Sequence, residues 1–445
     1  MNPDAQHPAQ HPGRRQPARA AGAAFVGTTI EWYDFYIYAT ASALIFGKLF
    51  FPSHDPFLST LASFGTFAVG FFARPFGGLV FGHLGDRIGR KKALLTTLVI
   101  MAIGTVGIGF LPTFERIGVW APVLLIVLRV AQGVAIGGEW GGAVLLAGEH
   151  APAERRTFFA SFAQLGSPAG LILSLIAFRI VSSMPAQDFW SWGWRAPFLA
   201  SAVLLLVGLV IRLGVAESPA FEQMKLEHKT VKLPIAVVVR DEWRTVLLCL
   251  GANVIGVAGA WFVNTFMLSY TTQTLHFDRA MVLSCLFIVA IVQFCTQLAS
   301  GWLADRIGNV RFLKRAALLA MLSPYPMFLL VQTGRPVAIV IGVGFAVMCM
   351  SSSYAVMAGF MTSVFPVRVR YSAISLSYQL CAALAGGLTP LIGTVLVHQY
   401  AGQWWPLAAF YSVLAAITLV CISTLARRRS AGSPSMERAF VEPQS

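Results

Sequence analysis

The stretch Gly82-His83-Leu84-Gly85-Asp86-Arg87-Ile88-Gly89-Arg90-Lys91-Lys92 is a compact charged hairpin set between two long apolar runs. It comes back once, at Gly301-Trp302-Leu303-Ala304-Asp305-Arg306-Ile307-Gly308-Asn309-Val310-Arg311, with Gly, Asp, Arg and Gly at matching offsets and the basic tail eroded. Asp305 lies 219 residues after Asp86, and each copy follows the second apolar run of its half. Two such hairpins at matching places indicate an internal duplication, a habit of membrane carriers.

Composition agrees. Of 445 residues 56% are hydrophobic and 12% charged, against roughly a quarter charged in an ordinary soluble domain. A bilayer needs about 20 apolar residues per spanning helix, and twelve such runs lie between residues 22 and 426. The expected fold class is therefore an all-α membrane protein with twelve transmembrane helices in two six-helix halves. The expected domains are a disordered cytoplasmic tail over 1–21, an N-terminal bundle over 22–213, a cytoplasmic linker over 214–244, a C-terminal bundle over 245–427 and a second tail over 428–445.

The formal charge of +14 invites a nucleic-acid reading, which the placement of the charges removes. With both termini in the cytoplasm, only six of the 33 Lys and Arg residues face outward: Lys48, Arg116, Arg179, Arg195, Arg279 and Arg335. Arg74 and Arg129 fall within apolar runs, and all the others face inward. That asymmetry is the positive-inside signature, with anionic lipid as the only partner it requires. Glu31 and Asp34 interrupt the first apolar run, so it reads as a retained helix rather than a signal peptide.

Those two acids are the most informative residues of the first run, in Thr28-Thr29-Ile30-Glu31-Trp32-Tyr33-Asp34-Phe35-Tyr36. A charge at the bilayer centre costs at least about 2.5 to 3.5 kcal/mol on insertion scales. Spaced three apart, with Gly27 and Tyr38 on the same stripe, both can face one interior groove. The functional reading is a proton acceptor or cation ligand, and the bland one is an acid paired permanently with a basic neighbour. In the second run, Arg74-Pro75-Phe76-Gly77-Gly78 places a cation beside close-packing glycines. Arg74 is expected to pair with an acid of the bundle and to act structurally or in gating.

The fourth run carries Arg129-Val130-Ala131-Gln132-Gly133-Val134-Ala135-Ile136-Gly137-Gly138-Glu139. Arg129, Gln132 and Glu139 share one polar stripe, flanked by Gly133 and Gly137, on which another helix can slide. A guanidinium there suits a carboxylate. The fifth run's Gly166-Ser167-Pro168-Ala169-Gly170 reads as a packing contact, and Trp190, Trp192 and Trp194 as an interfacial belt. The second half has no deep acid or base. Its polar residues are neutral, and Trp261, Asn264 and Tyr354 stand out because the seventh and tenth runs duplicate the first and fourth. All six cysteines lie in apolar runs, the eight histidines show no metal spacing, and no phosphate loop or nucleophile set occurs. No cofactor or enzymatic activity is expected.

Taken together, these motifs resemble the major facilitator superfamily. Glu31 to Phe35, Arg74 to Gly78, Arg129 to Gly133, Gly137-Gly138-Glu139, Trp192-Gly193-Trp194-Arg195-Ala196-Pro197-Phe198 and Glu217-Ser218-Pro219-Ala220-Phe221 are similar to its metabolite:proton symporter subfamily. That group includes bacterial carriers of shikimate, 2-oxoglutarate, citrate and proline or betaine. Gly137 to Gly142 and Ser269-Tyr270-Thr271-Thr272-Gln273 look most similar to its shikimate-carrying members.

The resemblance implies alternating access, with helices one, four, seven and ten around the cavity. It implies gating by Asp86, Arg87 and Arg90, and by the weaker second copy at Asp305 and Arg306. The expectation is a monomer in a bacterial inner membrane importing a small organic acid together with protons, a shikimate-like hydroxylated monocarboxylate by preference. Asp34, Glu31 or Glu139 would carry the proton. Arg129, Gln132 and Tyr38 from the first half, with Trp261, Asn264 and Tyr354 from the second, would hold the substrate. A dicarboxylate such as 2-oxoglutarate and a zwitterion such as proline or betaine stay open. A non-transporting membrane receptor is the reading from another class, disfavoured by tails of about 20 residues, too short for the signalling domain it would need.

Overall fold

The computed structural model describes residues 16–88, 90–137, 156–213, 234–365 and 370–430. Twelve long helices follow one another through them. The first half holds α1 (Gln16–Ala41, continued by a π turn at Ser42–Phe46 and by Gly47–Phe50), α2 (Pro56–Ile88), α3 (Arg90–Phe110), α4 (Trp120–Ile136), α5 (Arg156–Ser182) and α6 (Ala196–Leu213). The second holds α7 (Trp243–Trp261, continued through π turns to Thr274), α8 (Arg279–Ile307), α9 (Asn309–Leu322, resuming at Pro324–Val331) and α10 (Pro336–Thr362). It closes with α11 (Arg370–Cys381, a π turn at Ala382–Gly386, then Thr389–Gln399) and α12 (Trp405–Ser430).

Among the described residues eight helices are long and apolar enough to cross a membrane, and two shorter apolar ones join them. Helices are the natural form for such runs, because in lipid every backbone N–H and C=O must be satisfied within its own segment. Large side chains such as Phe110, Val210 and Val337 are about 70% exposed on the outer faces of α3, α6 and α10 (71%, 70% and 71%). That apolar skin fits hydrocarbon rather than water. Trp194 departs from the expected interfacial belt: it is buried, edge-on to Phe46, Phe50 and Phe198.

The duplication is visible in the backbone. α2 ends at Ile88 and α3 begins at Arg90, and 219 residues later α8 ends at Ile307 and α9 begins at Asn309. Gly308 makes the second junction with φ +91°, a conformation that favours glycine. The side chains of Asp86, Arg87 and Arg90 lie outside the described residues, as do Glu139 and the amphipathic piece expected over 221–229. In the second copy Asp305 and Arg306 are exposed, and the Arg306 guanidinium lies over the Trp302 ring at 3.8 Å.

Small residues fix the packing that positions the charges. A Cβ on Gly133 would overlap the carbonyl oxygen of Gly70, and one on Gly137 that of Arg74, so α2 and α4 touch backbone to backbone. Gly166 and Gly170 of α5 likewise admit the backbone of α1 at Thr28 and Tyr33.

At the end of the bundle remote from Gln16, one amide ties the halves together. Gln273 of α7 donates from Nε2 to the carbonyl of Ala43 at 2.6 Å, and its Oε1 accepts from Thr60 Oγ1 at 2.8 Å. Phe57 stacks on His398 beside it, with centroids 3.9 Å apart. Gln273→Leu is expected to lose both bonds at about 1 kcal/mol each, shifting this end roughly 30-fold toward opening. Electron-spin distances between labels on the adjacent ends of α1 and α7 check this, and distributions matching the wild type would discard the latch.

Candidate functional site

The centre of the bundle is polar on one side and aromatic throughout. Asp34, buried on α1, accepts a hydrogen bond from Ser201 Oγ of α6. Thr105 of α3 bears on the same carboxylate electrostatically, while its own hydroxyl donates to the Met101 carbonyl at 3.0 Å. Thr105 Oγ1 accepts from Gln132 Nε2 at 2.8 Å, and Gln132 Oε1 accepts from Arg129 Nη1 at 3.2 Å. Arg129 of α4, Gln132 and Thr105 are thus joined in one hydrogen-bonded series that lies beside Asp34. Arg129 and Asp34 do not come within salt-bridge distance. Glu31, one turn before Asp34, lines the same narrow crevice with Gly27, Leu98, Met101 and Ser201. The sequence stripe of Gly27, Glu31 and Asp34 is therefore one face, and that face looks toward α3 and α6.

Arg129 is wholly buried, and the rings around its guanidinium come from its own half. Its guanidinium carbon lies 4.0 Å from the Tyr38 ring, 4.6 Å from Phe35 and 5.5 Å from Phe67. Gly70 makes the room: a Cβ there would meet Arg129 Nε at 2.5 Å. Nε and Nη2 have no hydrogen-bond partner. Aromatic faces hold the cation through their quadrupoles, which is favourable in a desolvated site but leaves directional donors unused. Tyr38 donates its hydroxyl to Thr66 Oγ1 at 2.6 Å, so what it offers Arg129 is its ring.

Arg74 lies against the other occupant of this box. Its guanidinium carbon is 4.0 Å from the Phe71 ring and 4.2 Å from Phe35, and its Nε is buried without a partner. Two guanidinium groups therefore share the Phe35 ring. Among the described residues no acid lies within salt-bridge distance of Arg74, and Glu139 lies outside them. Across the interface, Arg74 faces Tyr354 of α10 and Tyr378 of α11, whose hydroxyls bond each other at 3.1 Å.

The remaining candidates from the second half are interlocked. Trp261 stacks on Trp32 at 5.9 Å and meets Tyr36, Phe67 and Phe71 at 4.9 to 5.2 Å, so five rings from both halves fill the centre. Asn264 donates to Gln293 Oε1 at 3.2 Å, an interhelical bond between α7 and α8. The structure also brings in residues that the sequence did not single out: Thr105, Ser201 and Gly70. Lone hydroxyls and glycines in apolar runs carry no signal of their own, and their partners come from other helices.

A bundle of apolar helices with buried charges at its core and a duplicated half defines a multi-pass membrane transporter. The model of the Major Facilitator Superfamily matches residues 24–388 and 258–442, and the chain belongs to that family, whose members are transporters rather than enzymes. It is 38% identical over 399 residues to the shikimate transporter of Escherichia coli K12, spanning 88% of this chain and 90% of that one. It is 33% identical to the proline/betaine transporter of the same strain over 90% of this chain and 81% of that one. Among solved structures it resembles the D-xylose-proton symporter, with a TM-score of 0.71, 16% identity and coverage of 92% and 97%. The proton:xylose symporter XylE bound to 6-bromo-6-deoxy-D-glucose gives a TM-score of 0.74 at 16% identity, with coverage of 94% and 95%. At that identity the structures support the fold alone.

Proposed function

We propose that this protein imports a small organic acid together with protons across a bacterial inner membrane, a shikimate-like hydroxylated monocarboxylate by preference. Both termini then lie in the cytoplasm, and the bundles over 22–213 and 245–427 alternate access between them. The observation that carries the reading is the buried carboxylate of Asp34, set beside the hydrogen-bonded series of Thr105, Gln132 and the buried cation Arg129. A buried acid that can change its charge, set in one helix bundle beside a fixed cation, couples proton binding to that bundle's state. Neutral hydroxyls and amides of the second half suit a substrate with several hydroxyl groups. The hairpins at Asp86 and Asp305 act as gates in this scheme. The chain's likeness to the shikimate transporter supports the substrate class.

Two guanidinium groups on one ring, Arg74 and Arg129 about Phe35, favour a second reading in which a dicarboxylate such as 2-oxoglutarate is carried. The test is uptake of radiolabelled shikimate into proteoliposomes under an imposed inward proton gradient, with quinate, 2-oxoglutarate, citrate, proline and betaine as competitors. Gradient-dependent uptake blocked chiefly by quinate supports the first reading. Competition led by 2-oxoglutarate supports the second, and no uptake of shikimate by folded protein removes the first.

A further inference from the structure

Of the two buried guanidinium groups, Arg74 is the one on which groups of the second half bear. Arg129 is enclosed by Phe35, Tyr38 and Phe67 of the first half, with Gly70 beneath it. Arg74 lies at the seam. Its carbonyl oxygen packs on Gly137, whose own carbonyl accepts from Gln379 Nε2 of α11 at 3.1 Å, and the Tyr354–Tyr378 hydroxyl pair bears on its charge. Among the described residues, Glu31 is the acid that bears on Arg74 electrostatically. The guanidinium thus holds a full charge, a buried Nε without a hydrogen-bond partner and two phenol hydroxyls opposite. A site of that kind is complementary to a carboxylate: the fork donates to its oxygens, and the phenols donate from the far side.

We infer that Arg74, with Tyr354 and Tyr378, is the site that binds the substrate carboxylate, and that Arg129 serves proton coupling inside the first half. The assignment rests on the organic-acid reading above and moves the anion-binding role from the fourth helix to the second. The anion that answers Arg74 arrives with the substrate and bridges the two halves, so occupancy itself draws them together.

The test uses the full-length protein in proteoliposomes and a pair of ligands differing only at the acid, shikimate and its methyl ester, as inhibitors of radiolabelled shikimate uptake. In the wild type the acid is expected to inhibit at least ~30-fold better than the ester, the loss of a charge-assisted pair. In Arg74→Gln that ratio is expected to fall to about threefold or less, because neither ligand then finds a cation. Tyr378→Phe preserves ring packing, so it covers the case in which Arg74→Gln does not fold, and it is expected to weaken the acid about tenfold while barely changing the ester. A defect of packing alone would weaken acid and ester together and leave their ratio intact. A ratio preserved in Arg74→Gln, or collapsing in Arg129→Gln instead, overturns the assignment while leaving organic-acid transport standing. A folded wild type that transports neither shikimate nor any competing acid overturns both.

Discussion

Asp34→Asn is expected to abolish uphill accumulation of substrate while leaving downhill exchange within about threefold of the wild type. The substitution keeps the shape of the side chain and can still accept from Ser201 Oγ, so the helix contact between α1 and α6 survives. What it removes is the change of charge on protonation. An imposed gradient of about one pH unit supports roughly tenfold accumulation per coupled proton, equivalent to about 1.4 kcal/mol. With Asn the accumulation ratio should fall to one at every imposed gradient. The measurement is paired uptake and counterflow in proteoliposomes. Accumulation with an unchanged proton dependence would remove Asp34 from the coupling role and direct attention to Glu31, which lines the same crevice.

Arg129→Lys should have the second-largest effect, and its form separates coupling from binding. The guanidinium is planar, lies over the Tyr38 ring and holds Gln132, which in turn donates to Thr105 beside Asp34. An ammonium keeps the charge but neither stacks in that way nor reaches Gln132 with the same geometry. Disturbing a buried, connected charge costs about 3 kcal/mol, and if it falls on the transport barrier the maximal rate drops on the order of 100-fold. Because the residue is sealed within the first half, the half-saturating concentration of shikimate should stay within about threefold. A large rise in that concentration at an unchanged maximal rate would return the carboxylate to Arg129.

These outcomes bear on how the two halves divide the work. The first half holds the buried charges: Asp34, Arg74, Arg129 and the half-buried Glu31. The second offers neutral partners, Asn264, Gln293, Tyr354 and Tyr378, already engaged with one another. In low dielectric a substrate must supply better hydrogen bonds than those it displaces. A polyhydroxylated acid meets that requirement, since it can replace both the phenol pair and the amide pair. The five-ring cluster about Trp261 fills the centre between the halves.

The chain by itself determined the class of molecule and the cast of its core. The repeat of the Gly82 and Gly301 hairpins, the length of the apolar runs and the sidedness of Lys and Arg need no partner to be read, since each follows from one segment meeting lipid or water. The backbone repeats the hairpin junction at Ile88 and Ile307, and again, one residue out of step, in the π turns starting at Ser42 of α1 and Phe262 of α7. Helical spacing likewise placed Gly27, Glu31 and Asp34 on one face. Periodicity fixes which face of a helix is polar and says nothing of which helix lies opposite. Only the tertiary structure decided that Asp34 meets Ser201, that Gly70 clears a space for Arg129, and that Gln379 of α11 reaches the Gly137 carbonyl beside Arg74. Those choices rest on backbone contacts between glycine-lined helices and on rings contributed by several segments at once, which no single stretch of sequence contains.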